Sequence, residues 1–165
     1  MMMRSILASL VCLLVCGSAF AQESEGTVTY DVGLSSGRVE QEGQPDKSYL
    51  EPSIGFSYHF MEHLAWRNSI FGRFGDVDTA YGIDTSMRAQ GLLGDHSMGV
   101  SGFLGPGFRF ITKGDNVPFL EGGVILHAAG ISLGAGVKTF FNSVVRSGAE
   151  NENQLLIIFG GGGVF

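Results

Sequence analysis

The sequence predicts an all-β chain: an eight-stranded antiparallel up-and-down transmembrane β-barrel after a cleaved signal peptide. Three observations predict it. Large apolar residues recur at every second position through seven segments, and less clearly through an eighth; that is the side-chain period of a strand. The positions between them hold glycine, serine and single charges of both signs, the small or paired groups that a narrow barrel interior admits. Aromatic residues collect near the segment ends, where a bilayer has its interfaces.

Composition excludes several other classes. The chain has 165 residues, one domain's worth. Its 26 glycines follow no three-residue period, so it is not collagen-like. A hydrophobic fraction of 44% is too high for a disordered chain. The formal net charge of −6 argues against nucleic acid as a partner, because that contact needs clustered Lys and Arg. No stretch after the N-terminus reaches the roughly 18 unbroken apolar residues of a helical span.

The first 21 residues stand apart from the fold. Arg4 precedes the apolar run Ile6 to Val15, and Ala19-x-Ala21 fits a signal-peptidase site before Gln22. The expected division is a signal peptide at 1–21 and a barrel domain at 22–165. Cys12 and Cys16 both fall in the leader, each preceded by a valine, so no lipid-modified cysteine is expected. The mature chain then has no cysteine and needs neither disulfides nor thiolate metal sites. Without Arg4 it carries 9 basic and 16 acidic residues, a net −7.

The segments follow in order. Val28, Tyr30, Val32 and Leu34 share one parity; Thr27, Thr29, Asp31, Gly33 and Ser35 share the other. Ile54, Phe56, Tyr58 and Phe60 alternate with Ser53, Gly55, Ser57 and His59. Leu64, Trp66, Ile70 and Phe74 alternate with Arg67, Ser69 and Arg73, and Tyr81, Ile83 and Met87 with Asp84, Ser86, Arg88 and Gln90. Leu104, Phe108 and Phe110 alternate with Gly105, Gly107 and Arg109; Leu120, Val124 and Leu126 with Glu121 and Gly123. Ile131, Leu133 and Val137 alternate with Ser132, Gly134, Gly136 and Lys138. The last segment, Gln154 to Phe165, is apolar or glycine on both parities.

Alternation alone fits a soluble barrel, apolar side inward, as well as a membrane barrel, apolar side outward. The glycine- and serine-rich polar parity, the terminal Phe165 and the aromatics near segment ends, among them Tyr58, Trp66, Tyr81 and Phe108, favour the membrane. The connections 36–48, 75–79, 112–116 and 142–153 would share one end of the barrel. They hold eight acids against Arg38, Lys47, Lys113 and Arg146. These are the expected extracellular loops, with both termini periplasmic, as an even strand number requires.

Taken together, the signal peptide, the eight amphipathic segments and Phe165 resemble the small outer-membrane barrels of the outer-membrane-protein-A and opacity-protein type. Phrases such as Gly55-Phe56-Ser57-Tyr58-His59-Phe60 and Gly105-Pro106-Gly107-Phe108-Arg109-Phe110 are similar to that family's strands. The resemblance implies a Gram-negative outer-membrane location, lipid as surroundings, and the barrel-assembly machinery and periplasmic chaperones as partners during biogenesis. It also implies that Phe165 belongs to the assembly signal; because the chain ends with the last strand, no appended peptidoglycan-binding domain is expected. Pro106 departs from the pattern: a closed barrel has no edge to hide its missing N–H, so a bulge is expected there.

Little in the sequence points to catalysis. His59, His63, His96 and His127 form no metal-binding spacing. Ser57 and His59 are two apart, yet both carry inward parity, so the expectation is a non-enzymatic chain without metal or cofactor. The inward parity collects Asp31, Glu51, Asp84 and Glu121 against Arg67, Arg73, Arg88, Arg109 and Lys138. Buried ions persist only when paired, so these nine are expected to plug the lumen with ion pairs. Arg109 and Glu121 flank the 112–116 connection and are expected to pair across it. Three functions fit: a structural or surface-interaction barrel with acidic loops, a narrow porin-like channel, or a secreted soluble ligand-binding barrel. What the loops bind is not legible.

Overall fold

The computed structural model describes residues 26–39, 46–61, 63–94, 98–129, 131–145 and 150–161. The expected signal peptide and Phe165 lie outside these residues. Eight strands follow one another: β1 (Thr27–Val39), β2 (Lys47–Met61), β3 (Leu64–Gly75), β4 (Ala80–Gly94), β5 (Met98–Ile111), β6 (Val117–Ala128), β7 (Ile131–Phe140) and β8 (Glu152–Gly161). Each pairs antiparallel with the next, and β8 pairs back onto β1 through Gly33 and Ile158, closing the barrel. Closure leaves no edge strand with unpaired backbone groups, the condition for a sheet in lipid.

The register sets the shape. Lateral steps from Thr27 pass through His59, Ala65, Arg88, Gly105, Glu121, Lys138 and Gln154 and return to β1 at Gly37, ten residues along. Such a stagger over eight strands corresponds to a tilt of about 40°. Residues far apart along the chain therefore meet in the lumen.

The apolar parity lies outside. Ile54 and Ile70 are each 60% exposed, and Val32, Val124, Leu126, Leu133 and Leu155 share that face. A soluble barrel would bury this set, so the soluble alternative is set aside. Tyr58 lies opposite Trp66 close to the end carrying the short turns. Near the other end Phe74 and Tyr81 meet edge-on at 6.1 Å, and the rings of Phe108 and Phe110 lie 5.1 Å apart. The Trp66 indole donates to Thr85 Oγ1 at 2.8 Å, which satisfies a hydroxyl of outward parity.

Two expectations change. β1 continues to Val39, past the point where apolar alternation stops, and β4 continues to Gly94 with Leu92 buried inside and Leu93 exposed outside, so its two-sided pattern runs on beyond Gln90. Pro106 causes no bulge: it stays opposite Leu120, and the β4–β5 register is the same on both sides of it. The pairing is interrupted only at residues 87–88 and 105–106, and the same occurs beside Pro52, so the missing N–H becomes a gap without a slip. β8 is apolar on both faces because Leu156 and Ile158 are buried in the lumen while Leu155 and Phe159 face out. The 140–152 connection also contains a helical turn, Asn142–Val145, that no sequence signal announced.

Candidate functional site

The lumen is the chemically loaded part of the molecule. Because strand side chains alternate, every second residue of each strand points into it, and the stagger decides which ones touch. Asp84 lies directly opposite Arg109 in the β4–β5 ladder, and both its oxygens accept from that guanidinium at 2.7 Å. Arg109 also donates to both oxygens of Glu51 at 3.0 Å. Glu51 in turn holds Arg73 at 2.6 Å and accepts from the Gln154 amide at 2.9 Å. Across the barrel Lys138 donates to Asp84 at 2.6 Å and lies 3.8 Å from Glu121. Glu121 accepts from Arg88 at 2.8 Å and from Ser86 at 2.5 Å. Arg73, Glu51, Arg109, Asp84, Lys138, Glu121 and Arg88 thus form one chain of alternating charge. Asp31 and Arg67 form a separate two-point pair, with Arg67 also donating to Ser69 at 3.0 Å.

All nine lumen charges named from the sequence face inward, and each has an ionic partner. The expected Arg109–Glu121 contact is absent. Arg109 lies opposite Val117, and Gly105 lies opposite Glu121, which puts the two charges four residues apart along the ladder. The hairpin closes around residue 113, so Arg109 and Glu121, at unequal distances from it, do not meet. A tenth charge, Glu152, belongs to the set: β8 begins there, and its carboxylate is 3.5 Å from Arg73. With it, five carboxylates (Asp31, Glu51, Asp84, Glu121, Glu152) face five cations (Arg67, Arg73, Arg88, Arg109, Lys138).

Sequence reasoning missed the aromatic half of this site. Tyr49, Phe71, Phe103, Phe119 and Phe140 all point inward and are buried. Arg109 is held between the rings of Phe71 and Phe140, at 4.0 and 4.2 Å from their centroids. Arg73 lies over Tyr49 at 4.1 Å, Arg88 over Phe103 at 4.2 Å and Lys138 over Phe119 at 4.5 Å. A ring face attracts a desolvated cation, so the aromatics solvate charges that water does not reach. The available signal was parity: Phe71, Phe103 and Phe119 each sit next to an outward Ile or Leu.

Glycine makes room for these contacts. A Cβ on Gly55 would lie 2.6 Å from Arg67 and 2.8 Å from Asp31, inside the ion pair. Gly105 sits between Arg88 and Glu121 in the lateral row, where a Cβ would collide with the Met87 carbonyl.

Toward the turn end the lumen turns neutral. His59 Nε2 and Nδ1 are 3.1 Å from Thr29 and 2.8 Å from Gln90; His127 lies between Ser101 at 2.8 Å and Ser132 at 2.9 Å. Beside the charged chain lies a cavity of about 20 Å³. Glu51, Glu121 and Gln154 are each 1% exposed, so ions and side chains fill the cross-section. Among the described residues, no group of three potential metal ligands comes together.

No protein-family model and no curated protein matches the chain in sequence. Solved structures do match in fold. A designed transmembrane β-barrel aligns with TM-score 0.57 at 11% identity, covering 86% of this chain and 98% of its own. The outer-membrane enzyme PagL aligns with TM-score 0.58 at 10% identity, covering 80% and 99%. Ail of Yersinia pestis aligns with TM-score 0.47 at 12% identity, covering 83% and 97%. The chain therefore has the fold of the small eight-stranded outer-membrane barrels, and at these identities the likeness extends to fold alone.

Proposed function

We propose that this chain is a non-enzymatic outer-membrane barrel of a Gram-negative bacterium with a structural or surface-interaction role, its lumen plugged and its acidic loops exposed to the outside. The observation that carries this reading is the aromatic-packed ion network that fills the lumen cross-section, inside a barrel whose outer face is apolar. An eight-stranded interior is just wide enough for side chains to fill it, and here they do. The fold does not by itself exclude catalysis, since an outer-membrane enzyme shares it. The non-enzymatic reading draws its support from the lipid face: of the histidines on described strands, His59 and His127 both point inward.

The orientation follows from the loops. The connections at one end carry Asp46, Asp76, Asp78, Asp115 and Glu150 among the described residues, and the other end has short turns. Long loops on the outer surface and short periplasmic turns are the rule for such barrels, which supports a periplasmic position for both termini. In this setting the partners are outer-membrane lipid and, during biogenesis, the assembly machinery and periplasmic chaperones.

Planar-bilayer recording on the purified protein tests the plug. The expected result is no conductance step above the bare membrane, and regular channel openings would overturn the reading. Orientation is tested separately with Asp115→Cys, since the only native cysteines are Cys12 and Cys16. A membrane-impermeant maleimide should label it on intact cells; labelling only after the outer membrane is opened would invert the topology.

A further inference from the structure

We infer that the lumen cavity is a binding site for a single ordered water, which joins the Asp31–Arg67 pair to the main charged chain. The cavity is lined by Ser35, Ser53, Ser69, Arg67, Arg88 and Glu121, with Leu156 and Ile158 on one wall. Its volume of about 20 Å³ exceeds the roughly 10–15 Å³ that one water requires, and two to four polar partners are at hand.

Glu121 supplies the reason for a ligand. Its Oε1 accepts from both Ser86 and Arg88, while Oε2, in a residue 1% exposed, has no hydrogen-bond donor and lies 3.8 Å from the Lys138 ammonium. An ionised oxygen buried without a donor is strongly disfavoured. Donors remain across the cavity. Arg67 uses one N–H of each terminal nitrogen, on Asp31 and Ser69, and each of these nitrogens carries a second. A water accepting from Arg67 and donating to Glu121 Oε2 satisfies both, and its second hydrogen can go to a serine hydroxyl.

Charge selects water over an ion. The cavity wall holds four cations and three carboxylates, and Asp31, bound to Arg67 behind it, brings the count to four against four, so neither a halide nor a metal cation finds a net field there. A cation would meet Arg67, Arg88, Arg109 and Lys138 on the cavity wall, and an anion would meet Glu51, Asp84 and Glu121. An apolar gas is equally unsuited to a wall of serines and charges.

This inference rests on the closed-lumen reading, and the two fail differently. Bilayer conductance refutes the plug, whereas a dry cavity in a silent barrel refutes only the water. The experiment is water-to-protein cross-relaxation by NMR on the full chain in micelles, with labelled methyls at Leu156 and Ile158. Cross-peaks with the sign of a long-lived water should appear at both methyls. They should vanish in Ser53→Val, whose added methyl occupies the cavity. If that variant does not fold, the wild-type spectrum decides alone: no cross-peak at either methyl, with surface hydroxyls giving theirs, overturns the proposal. A chloride titration against sulfate at equal ionic strength is the second arm. Unchanged methyl shifts agree with water, and saturable shifts with chloride alone would replace it by an anion.

Discussion

Arg109 donates to both oxygens of two carboxylates while two phenyl rings cover its faces. Removing it would leave Asp84 and Glu51 each short of a bidentate partner in a dry interior. Arg109→Met should therefore destabilise the folded barrel by about 3–5 kcal/mol, the range for breaking a buried pair from one side. Urea unfolding in lipid micelles measures this. A double-mutant cycle with Asp84→Asn should return a coupling of about 0.5–3 kcal/mol, as for groups in direct contact. The cycle with Glu121→Gln should return clearly less, since Arg109 and Glu121 do not touch. Equal coupling in the two cycles would contradict the register. Gly55 makes a second residue-scale case. Gly55→Ala puts a methyl between Asp31 and Arg67 and should cost about 1–3 kcal/mol, as overpacking does. Gly122→Ala should cost less, because its nearest neighbour is the mobile end of Leu104 at 3.1 Å.

At the scale of a strand, β6 separates the two faces most plainly. Val124 is exposed on the outside near mid-strand, and Gly123 faces the lumen beside the Phe103 ring. An arginine at the bilayer midplane of a barrel's lipid face costs about 2–4 kcal/mol and little near the interface. Val124→Arg should thus reduce folding into vesicles far more than Leu120→Arg, which lies nearer the loop end. A fluorophore on Val124→Cys should be quenched by acyl-chain probes and not by water-soluble ones. The opposite pattern would put β6 inside out. β8 teaches a different lesson about strands. Its period was hidden because Leu156 and Ile158 fill the lumen where other strands place charges, and only its neighbours β1 and β7 reveal which face is which.

For the whole molecule, five lumen carboxylates face five cations in paired contacts closed off from bulk solvent. Salt screens exposed charges, with a Debye length near 3 Å at 1 M, and reaches buried pairs far less. The urea midpoint should accordingly stay nearly constant between low salt and about 1 M NaCl, while any loop-end contact such as Arg38–Asp46 at 3.3 Å weakens. A steep fall in stability with salt would mean that the network is open to solvent. The same closure predicts that the unheated protein migrates on gels as a compact species distinct from the heated one.

The amino-acid sequence by itself determined seven strands clearly and an eighth by its apolar run, together with the identity of nine inward charges, because the period of two is local and seven segments each carry it alone. It also placed the small residues and the outward aromatics, such as Tyr58, Trp66 and Tyr81, on the correct parity. Which charge meets which was decided only in three dimensions. Asp84 lies 54 positions from Lys138 in the chain and 2.6 Å from it in the lumen, a consequence of the ten-residue stagger around the barrel, which no single segment encodes. The stagger likewise recruited Glu152 from a nominal loop and seated five aromatic rings over the cations. Those rings read as breaks in the pattern until closure showed that a charge without water needs a polarisable neighbour. Closure also settled the sense of the alternation: the polar parity coats the inside of a cylinder that its own side chains fill, and the apolar parity faces the lipid.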